Sequence, residues 1–501
     1  MATGVTPSLR GRIGKVASAS AVALVFGEAV TLVQTVALAR LLSPAEVGIF
    51  MAGTVITLFL GNFVEGGLRS GLVQREHQVP EAAETVFWAT AGTGLLMSVV
   101  TLLTAPVVGL AFDSAEIGAV AAASSGVLFL FSLTNVPEAV LQREFSVWRR
   151  VVVGPSVSVT FALVAVGGAL AGWGVWSMVA GLYASYVAWL VTLWSITDWR
   201  PRRARASYRI WRELARYGLP LVVGSIGARI QQVLEALVVG RGLSEAALGQ
   251  FRYGQRIAQI PGRAIVEVGA IALFPAFSRL AGEPARLRLA FLRSLRWSVT
   301  GAAALTGLML ALGVPSVTVV LGEQWREAGV VVTAMAGLGV GKALTSVSEE
   351  VIKGGGRTRR LTWYFAVELV LGVVSLLALT LWLGLVGVGL SVSLTAVVVG
   401  VTCLGLSADV VGVRARELAA AVVPPLPCAA VATAACWALE HLVLHSDDRH
   451  LLLALLFLTV DTVVFGLVYL AALGVVTPWT ARGVLGAARL VAGRVLPGGP
   501  R

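Results

Sequence analysis

Four polar side chains recur at helical spacing in one otherwise apolar stretch of the sequence. Arg252, Arg256, Gln259 and Arg263 lie at positions i, i+4, i+7 and i+11 of FRYGQRIAQIPGRAIVEVG. A helix with 3.6 residues per turn brings such positions onto one face. Because guanidinium groups match paired phosphate oxygens through two parallel hydrogen bonds, this face suits an anionic substrate. The spacing therefore predicts a basic stripe that binds substrate through Arg252, Arg256 and Arg263.

Polar residues within other apolar stretches extend this prediction. Ionisable groups in such surroundings are costly and usually face a cavity or a partner. Arg229 is a fourth candidate for binding the anion, and at an offset of 201 residues it aligns with Glu28. The candidates for polar cavity lining or ion coupling are Glu28, Gln34, Glu235, Gln259 and Lys342. Glu368 and Asp461 are isolated acids that either titrate or pair with a neighbouring helix.

The sequence carries no pattern typical of an enzyme. It has no P-loop of the form GxxxxGK[ST], which excludes the usual ATP-hydrolysing site. The three cysteines fall inside apolar runs without metal-ligand spacing, and so are predicted to be small buried hydrophobes. Three of the four histidines crowd the short segment Glu440–His450, where a metal site is the weaker alternative. We therefore predict no catalytic residues, no cofactor and no bound metal.

The composition indicates which elements must position these side chains. The chain has 501 residues, of which 57% are hydrophobic and 13% charged. Soluble domains are about 45–50% apolar and about 25% charged, and the apolar residues here come in runs of about 20, enough to cross a bilayer core. The net charge of +12 is spread over short loops rather than a basic domain, which argues against a nucleic-acid partner. The sequence thus predicts an all-α polytopic membrane protein.

Counting these runs predicts about fourteen transmembrane helices. The first run, Val16–Ala39, follows basic residues as in a signal peptide, but it is longer than a signal core of 7–15 residues. Basic loops alternate with nearly neutral ones, so the positive-inside rule places both termini in the cytoplasm. Tryptophans near predicted span ends, Trp325 among them, are expected to be interfacial anchors.

A turn sequence occurs twice and indicates an internal duplication. LARLLSPAEVGIF (Leu38–Phe50) aligns with VGRGLSEAALGQF (Val239–Phe251) at an offset of 201 residues. Glu138–Arg150 and Glu349–Arg360 give a second, weaker match; the alternative is chance similarity between short loops. Six predicted helices separate the two turns, so the halves run parallel, as in transporters with a site between two repeats. The predicted domains are a first lobe (1–197), a basic linker (198–218), a second lobe (219–408) and two additional helices with a basic tail (409–501).

Several of these segments resemble a known family. The turn at Leu38–Phe50 is similar to the opening signature of the polysaccharide biosynthesis (oligosaccharide flippase) family. GLRSGLVQRE (Gly67–Glu76), PEAVLQREFSVWRR (Pro137–Arg150) and YGLPLVVGSIGARI (Tyr217–Ile230) resemble later segments of that family. The resemblance covers the two predicted lobes and weakens in the last two helices.

The resemblance implies the fold of the multidrug/oligosaccharidyl-lipid/polysaccharide exporter superfamily. Two six-helix lobes would form a V-shaped central cavity, and alternating access would move a polyprenyl-diphosphate-linked oligosaccharide across the bacterial inner membrane. Members use cavity arginines to hold the diphosphate. By role and helix, Arg229, Arg252, Arg256 and Arg263 are the corresponding residues here. The implied partners are the lipid-linked oligosaccharide, membrane lipids, and polymerases or glycosyltransferases of the same pathway.

Three alternatives stay open at the level of sequence. A drug/cation antiporter of the same fold would need an acidic rather than a basic cavity. A membrane-embedded polysaccharide polymerase or glycosyltransferase would need a larger catalytic loop than this chain provides. The basic stripe itself could belong to a helix lying flat on anionic lipid, or its last charges could extend to the membrane surface.

Overall fold

The computed structural model describes residues 7–144, 146, 148–202, 206–357 and 361–495. In these ranges the regular elements are all helical. The α-helices are α1 (Pro7–Leu41), α2 (Pro44–Glu65), α3 (Leu68–Gln74), α4 (Val79–Phe112), α5 (Ala115–Ser124), α6 (Val127–Ser132), α7 (Asn135–Arg143), α8 (Gly154–Leu170), α9 (Val175–Ile196), α10 (Tyr208–Gly242), α11 (Glu245–Leu280), α12 (Pro284–Leu321), α13 (Arg326–Ala334), α14 (Gly337–Gly354), α15 (Leu361–Val411), α16 (Ala415–Val422), α17 (Pro425–Leu439), α18 (Leu451–Val476) and α19 (Pro478–Val495).

The protein is a multi-pass membrane protein. Within the described ranges, nine helical stretches are long and apolar enough to cross a bilayer, or ten if the bent pair α13–α14 forms one span. One of the nine, Ala366–Val411, lies in α15 and contains a sharp reversal at Gly384, where φ is 56° and ψ is −132°. Ser375 and Thr395 hydrogen-bond across the two arms at 3.1 Å, so α15 is a pair of antiparallel helices. The sequence predicted this pair as two separate spans, and α1, α10 and α11 are three further helices of 35 or 36 residues.

The chain forms two compact units that divide between Gly249 and Gln250. In the first unit α8 packs against α9 and α1, while α2 packs against α4, α5 and α10. The helix α10 also contacts α3 and α4. It begins at Tyr208, inside the segment predicted as a linker, because Ile210 and Leu214 are buried in an apolar cluster with residues of α3, α4 and α7.

The beginning of the basic linker is held by one buried acid of α4. Glu84 is 4% exposed, and its two carboxylate oxygens accept hydrogen bonds from the indole nitrogen of Trp88 (2.7 Å) and the backbone nitrogen of Arg202 (2.8 Å). Next to it, the backbone nitrogen of Ser207 donates to the hydroxyl of Thr85 at 3.0 Å. The linker is thus tied to the first turns of α4 at Arg202 and at Ser207.

Replacing Glu84 with alanine should release this linker. The hydrogen bond from the Arg202 nitrogen to the Glu84 carboxylate contributes about 1.5 kcal/mol, and its loss corresponds to about a tenfold rise in the open population. Trypsin should therefore cut the purified variant after Arg202 about tenfold faster than it cuts the parent protein. Glu81→Ala, at an exposed position in the same helical turn, is the matched control. Equal cleavage rates for the Glu84 variant and the control would contradict the assigned role.

In the second unit, α12 is the central helix. It packs against α13 and α14 on one side and against α17 and α18 on the other. Phe291, Leu295 and Val299 of α12 are buried with residues of α14 and α15, whereas Ala303 and Ala311 lie in a cluster with α17 and α18. The two helices predicted to stand outside the duplication therefore dock on α12.

Two local features of the first unit recur in the second. The broken helix α5–α7 starts at Ala115 and ends at Arg143, and α13–α14 starts at Arg326 and ends at Gly354, each 211 residues later. The later hairpins also match, since Gly174 before α9 has φ 54° and ψ −133°, nearly the values of Gly384. Positive φ of this kind favours glycine. A glycine with this conformation therefore precedes the second helix of each hairpin.

The repeated turn has a structural role in both copies. Ser43 caps α2 in a reciprocal capping box with Glu46: its hydroxyl accepts from the Glu46 nitrogen, and the Glu46 carboxylate accepts from the Ser43 nitrogen. Ser244 makes one half of this arrangement at the start of α11: its hydroxyl accepts from the backbone nitrogen of Ala247 at 3.0 Å, and Ala247 has no carboxylate to complete the box. The side chains that made the two sequences similar therefore mark the start of two equivalent helices.

Candidate functional site

The predicted basic stripe lies on α11, which runs as a helix through the whole stretch. Arg252 is half-buried, Arg256 is exposed and Gln259 is half-buried. At about 100° per residue these positions, and that of Arg263, share one side of the helix. The side chain of Arg263 lies outside the described residues, so its place in the stripe stays a prediction.

Arg252 and Arg256 have different surroundings. The guanidinium of Arg252 donates to the amide oxygen of Gln255 at 2.8 Å and lies 5.5 Å from the centroid of the Phe251 ring. No acidic side chain among those described lies within 4.0 Å of the Arg256 guanidinium. The charge of the exposed Arg256 is therefore not neutralised by a described acidic side chain.

The other side of α11 is fixed by contacts with the start of α13. Gln250 donates to the backbone oxygen of Gln324 at 2.6 Å and accepts from the backbone nitrogen of Ala328 at 2.9 Å. The ring of Tyr253 stacks on Trp325, with centroids 4.3 Å apart. These contacts orient the helix and set which face carries Arg252.

The expectation that Trp325 is an interfacial anchor was wrong. Trp325 is fully buried, because Tyr253 covers its ring inside the second unit. Gln250 and Tyr253 were not predicted as positioning residues. The available signal was that Gln250 and Tyr253 flank the first arginine of the stripe. Their partners, however, lie more than 70 residues away along the chain.

Lys342, another cation of the second unit, is partly neutralised by a nearby acid. The Lys342 ammonium lies 3.8 Å from the carboxylate of Glu368, and both side chains are about one-third exposed. The aliphatic part of Lys342 packs against Gly262 of α11. The structure thus brings Lys342 next to the helix that carries the basic stripe and gives the isolated acid Glu368 a partner.

In the first unit, the predicted polar residues lie on α1 and α10. Arg229 is half-buried and donates to the side chain of Gln232 at 3.1 Å. Glu235 is 5% exposed and accepts from Gln231 at 3.2 Å. Glu28 is exposed on α1, and the amide oxygen of Gln34 is buried with no hydrogen-bond partner among the described residues.

A comparison with protein families shows to which family the chain belongs. The model of a family described as polysaccharide biosynthesis protein matches residues 37–330, which is more than half of the chain. The chain belongs to this family. The match includes α11 with the basic stripe and ends before α14, so the polysaccharide biosynthesis family does not by itself account for the last helices.

Individual relatives agree with this assignment. The chain is 27% identical to ExoT, a succinoglycan biosynthesis transport protein of Rhizobium meliloti (strain 1021), over 66% of this chain and 67% of ExoT. It is 23% identical to WzxC, a lipopolysaccharide biosynthesis protein of Escherichia coli (strain K12), over 64% and 65% of the two chains. Among solved structures, the Lipid II flippase MurJ in an inward closed conformation matches with a TM-score of 0.73. That match covers 91% of this chain and 98% of MurJ at 12% identity, and it shows that this family member shares the MurJ fold.

Proposed function

We propose that this family member is a flippase that moves a polyprenyl-diphosphate-linked oligosaccharide across the bacterial inner membrane by alternating access. The membrane-spanning helices, the family and the transporter fold support the transport class. The observation that carries the substrate class is the pair Arg252 and Arg256 on one side of α11. Both termini then lie in the cytoplasm, and the protein serves cell-surface polysaccharide assembly without changing its substrate covalently.

The spacing of the two arginines fits a diphosphate. Side chains at i and i+4 have Cβ atoms about 5–6 Å apart, so two guanidinium groups can each take one phosphate of a diphosphate. The corresponding positions of the first repeat, 201 residues earlier, are Met51 and Val55, which carry no charge. The headgroup site is therefore asymmetric, and it belongs to the second repeat.

Other polar residues are proposed to take part in transport. Arg229 and Arg263 are proposed as further ligands of the diphosphate, by their role and helix in the family. Glu28, Gln34, Glu235, Gln259 and Lys342 are proposed as polar lining or coupling groups. Lys342 has a specific argument in its favour, because its contact with Gly262 places it beside the stripe and its ion pair with Glu368 can exchange for a substrate phosphate.

The test is a transport assay with purified protein in liposomes. A labelled polyprenyl-diphosphate oligosaccharide is placed in one leaflet, and its arrival in the other is measured with a glycosidase that cannot cross the membrane. We expect protein-dependent movement with the lipid recovered chemically unchanged. A lengthened or cleaved glycan would instead support a polymerase or glycosyltransferase. Movement of organic cations without any movement of the lipid would support a drug antiporter.

A further inference from the structure

Two acidic side chains meet inside the last pair of membrane helices. Glu440, directly after α17, is 2% exposed, and Asp461 of α18 is fully buried. The thiol of Cys436, one helical turn before Glu440, lies 3.6 Å from the backbone oxygen of Asp461, so the face of the helix that carries Glu440 packs against α18 at Asp461. Both residues lie within apolar stretches able to span a bilayer and beyond the residues matched by the family. This acid pair is thus separate from the proposed diphosphate site.

The hydrogen bonds around the pair are incomplete in one respect. The two oxygens of Glu440 accept from the backbone nitrogen of Ser446 (2.8 Å) and from its hydroxyl (2.7 Å). Neither carboxyl oxygen of Asp461 has a donor among the described residues. The thiol of Cys436 is adjacent, but it donates to the backbone oxygen of Asp461. A buried carboxylate without a donor is a costly arrangement.

The described side chains near the pair form no ion pair with it. The facing part of α12, from Gly301 to Leu321, contains no charged residue. In the neighbouring turn, the carboxylate of Asp447 is engaged by Arg326 at 3.0 Å. Farther along α18, Tyr469 donates to the backbone oxygen of Thr300. Within the described part of the chain, no basic side chain forms an ion pair with either acid of the pair.

A single proton resolves this arrangement. Two buried carboxylates in contact repel each other if both are ionised, and neither can donate a hydrogen bond. One proton converts one carboxyl group into a donor to the other and leaves a single negative charge. A metal ion would need more oxygen ligands, and the described residues contain no group of three or more His, Cys, Asp or Glu able to hold one.

We propose that Glu440 and Asp461 form a proton-binding site, which holds one exchangeable proton between the two carboxyl groups inside the α17–α18 pair. Release breaks one carboxyl O–H bond, delivers the proton to water and leaves two negative charges facing each other. Deprotonation therefore loosens the packing of α18 on α17. The site gives the last two helices a role that the duplicated halves do not supply.

Infrared spectroscopy of the purified protein tests the proton directly. At neutral pH we expect one carboxylic-acid C=O band that shifts in heavy water and disappears on alkaline titration. The band should be absent from both Asp461→Asn and Glu440→Gln, and retained by Glu327→Gln, which alters an exposed acid of the same unit. Persistence of the band in both Asp461→Asn and Glu440→Gln would overturn the proposal. Loss of the band on adding Na⁺ at constant pH would also overturn it, in favour of a cation site.

Thermal unfolding gives a second readout that does not depend on transport. The midpoint for the parent protein should fall over the pH range in which the band disappears. Asp461→Asn can donate from its amide to Glu440, so this variant should fold and its midpoint should not show that fall. The same pH response in parent and variant would contradict the proposal. Neither outcome bears on the flippase assay, so the two proposals are tested separately.

Discussion

Proteoliposomes that carry Arg252→Ala together with Arg256→Ala are expected to move the lipid-linked oligosaccharide about 100-fold more slowly than the parent protein, or not at all. Each charge-assisted hydrogen bond to a phosphate contributes about 1.5–3 kcal/mol, and the double variant removes at least two of them. Two such losses correspond to a factor of about 100 or more. Transport is measured as glycosidase-accessible lipid in the far leaflet, with protein amount and orientation determined for each preparation.

A second pair of arginines provides the matched control for this experiment. Arg212 and Arg216 have the same i, i+4 spacing and are exposed on α10, in its basic first part. Their replacement by alanine removes the same charge and should leave transport unchanged. Replacement of Arg252 and Arg256 by lysine keeps the charge but loses the paired hydrogen bonds, so we expect partial activity. Transport at the parental rate by the double-alanine variant would contradict the assignment of the headgroup site.

The second large effect is expected at the two aligned glycines of the repeated turns. Within the first unit, the starts of α2 and α11 cross in backbone contact at Gly48 and Gly249. A methyl group on Gly48 would lie 1.8 Å from the carbonyl oxygen of Glu245, and one on Gly249 would lie 2.0 Å from that of Pro44. Both distances are far below contact distance, and the obstacles are backbone atoms that cannot rotate away. Gly48→Ala and Gly249→Ala should therefore each destabilise the protein by about 3 kcal/mol.

Thermal unfolding of the purified variants measures this effect. Gly301→Ala is the control, because a methyl group at Gly301 of α12 would meet no atom within 4 Å. We expect a clear fall in the unfolding midpoint for both glycine variants and little change for the control. If Gly48→Ala unfolds at the same temperature as Gly301→Ala, the close crossing of α2 and α11 does not contribute to stability.

The local features of the fold were predictable because they depend on neighbours in sequence. Ser43 and Ser244 are residue types typical of the first position of a helix. Gly384 lies between two apolar runs, which form the two arms of a helical hairpin. The helical spacing of Arg252 and Arg256 sufficed to place them on one side of α11. The composition alone established a multi-pass membrane protein.

The features that were missed depend on partners far away in the chain. The basic residues around Ile210 and Leu214 suggested a linker. These two apolar side chains, at i and i+4, are buried on one face of α10, so the helix begins earlier than predicted, at Tyr208. The burial of Trp325 requires Tyr253, and the acid pair requires Asp461 to meet Glu440 across two helices. Such contacts leave no periodic trace in the sequence, since each residue appears ordinary among its own neighbours.

The packing of α10 has a consequence for the biogenesis of the protein. The helix α10 packs against α2, α3 and α4. The first compact unit, which ends at Gly249, is therefore incomplete until the ribosome has translated the basic linker and α10. The early helices must therefore remain in the membrane without α10 until that segment has been synthesised. A version of the protein expressed as two fragments would assemble best when divided between α10 and α11, because a cut in the linker would leave α10 on the wrong polypeptide.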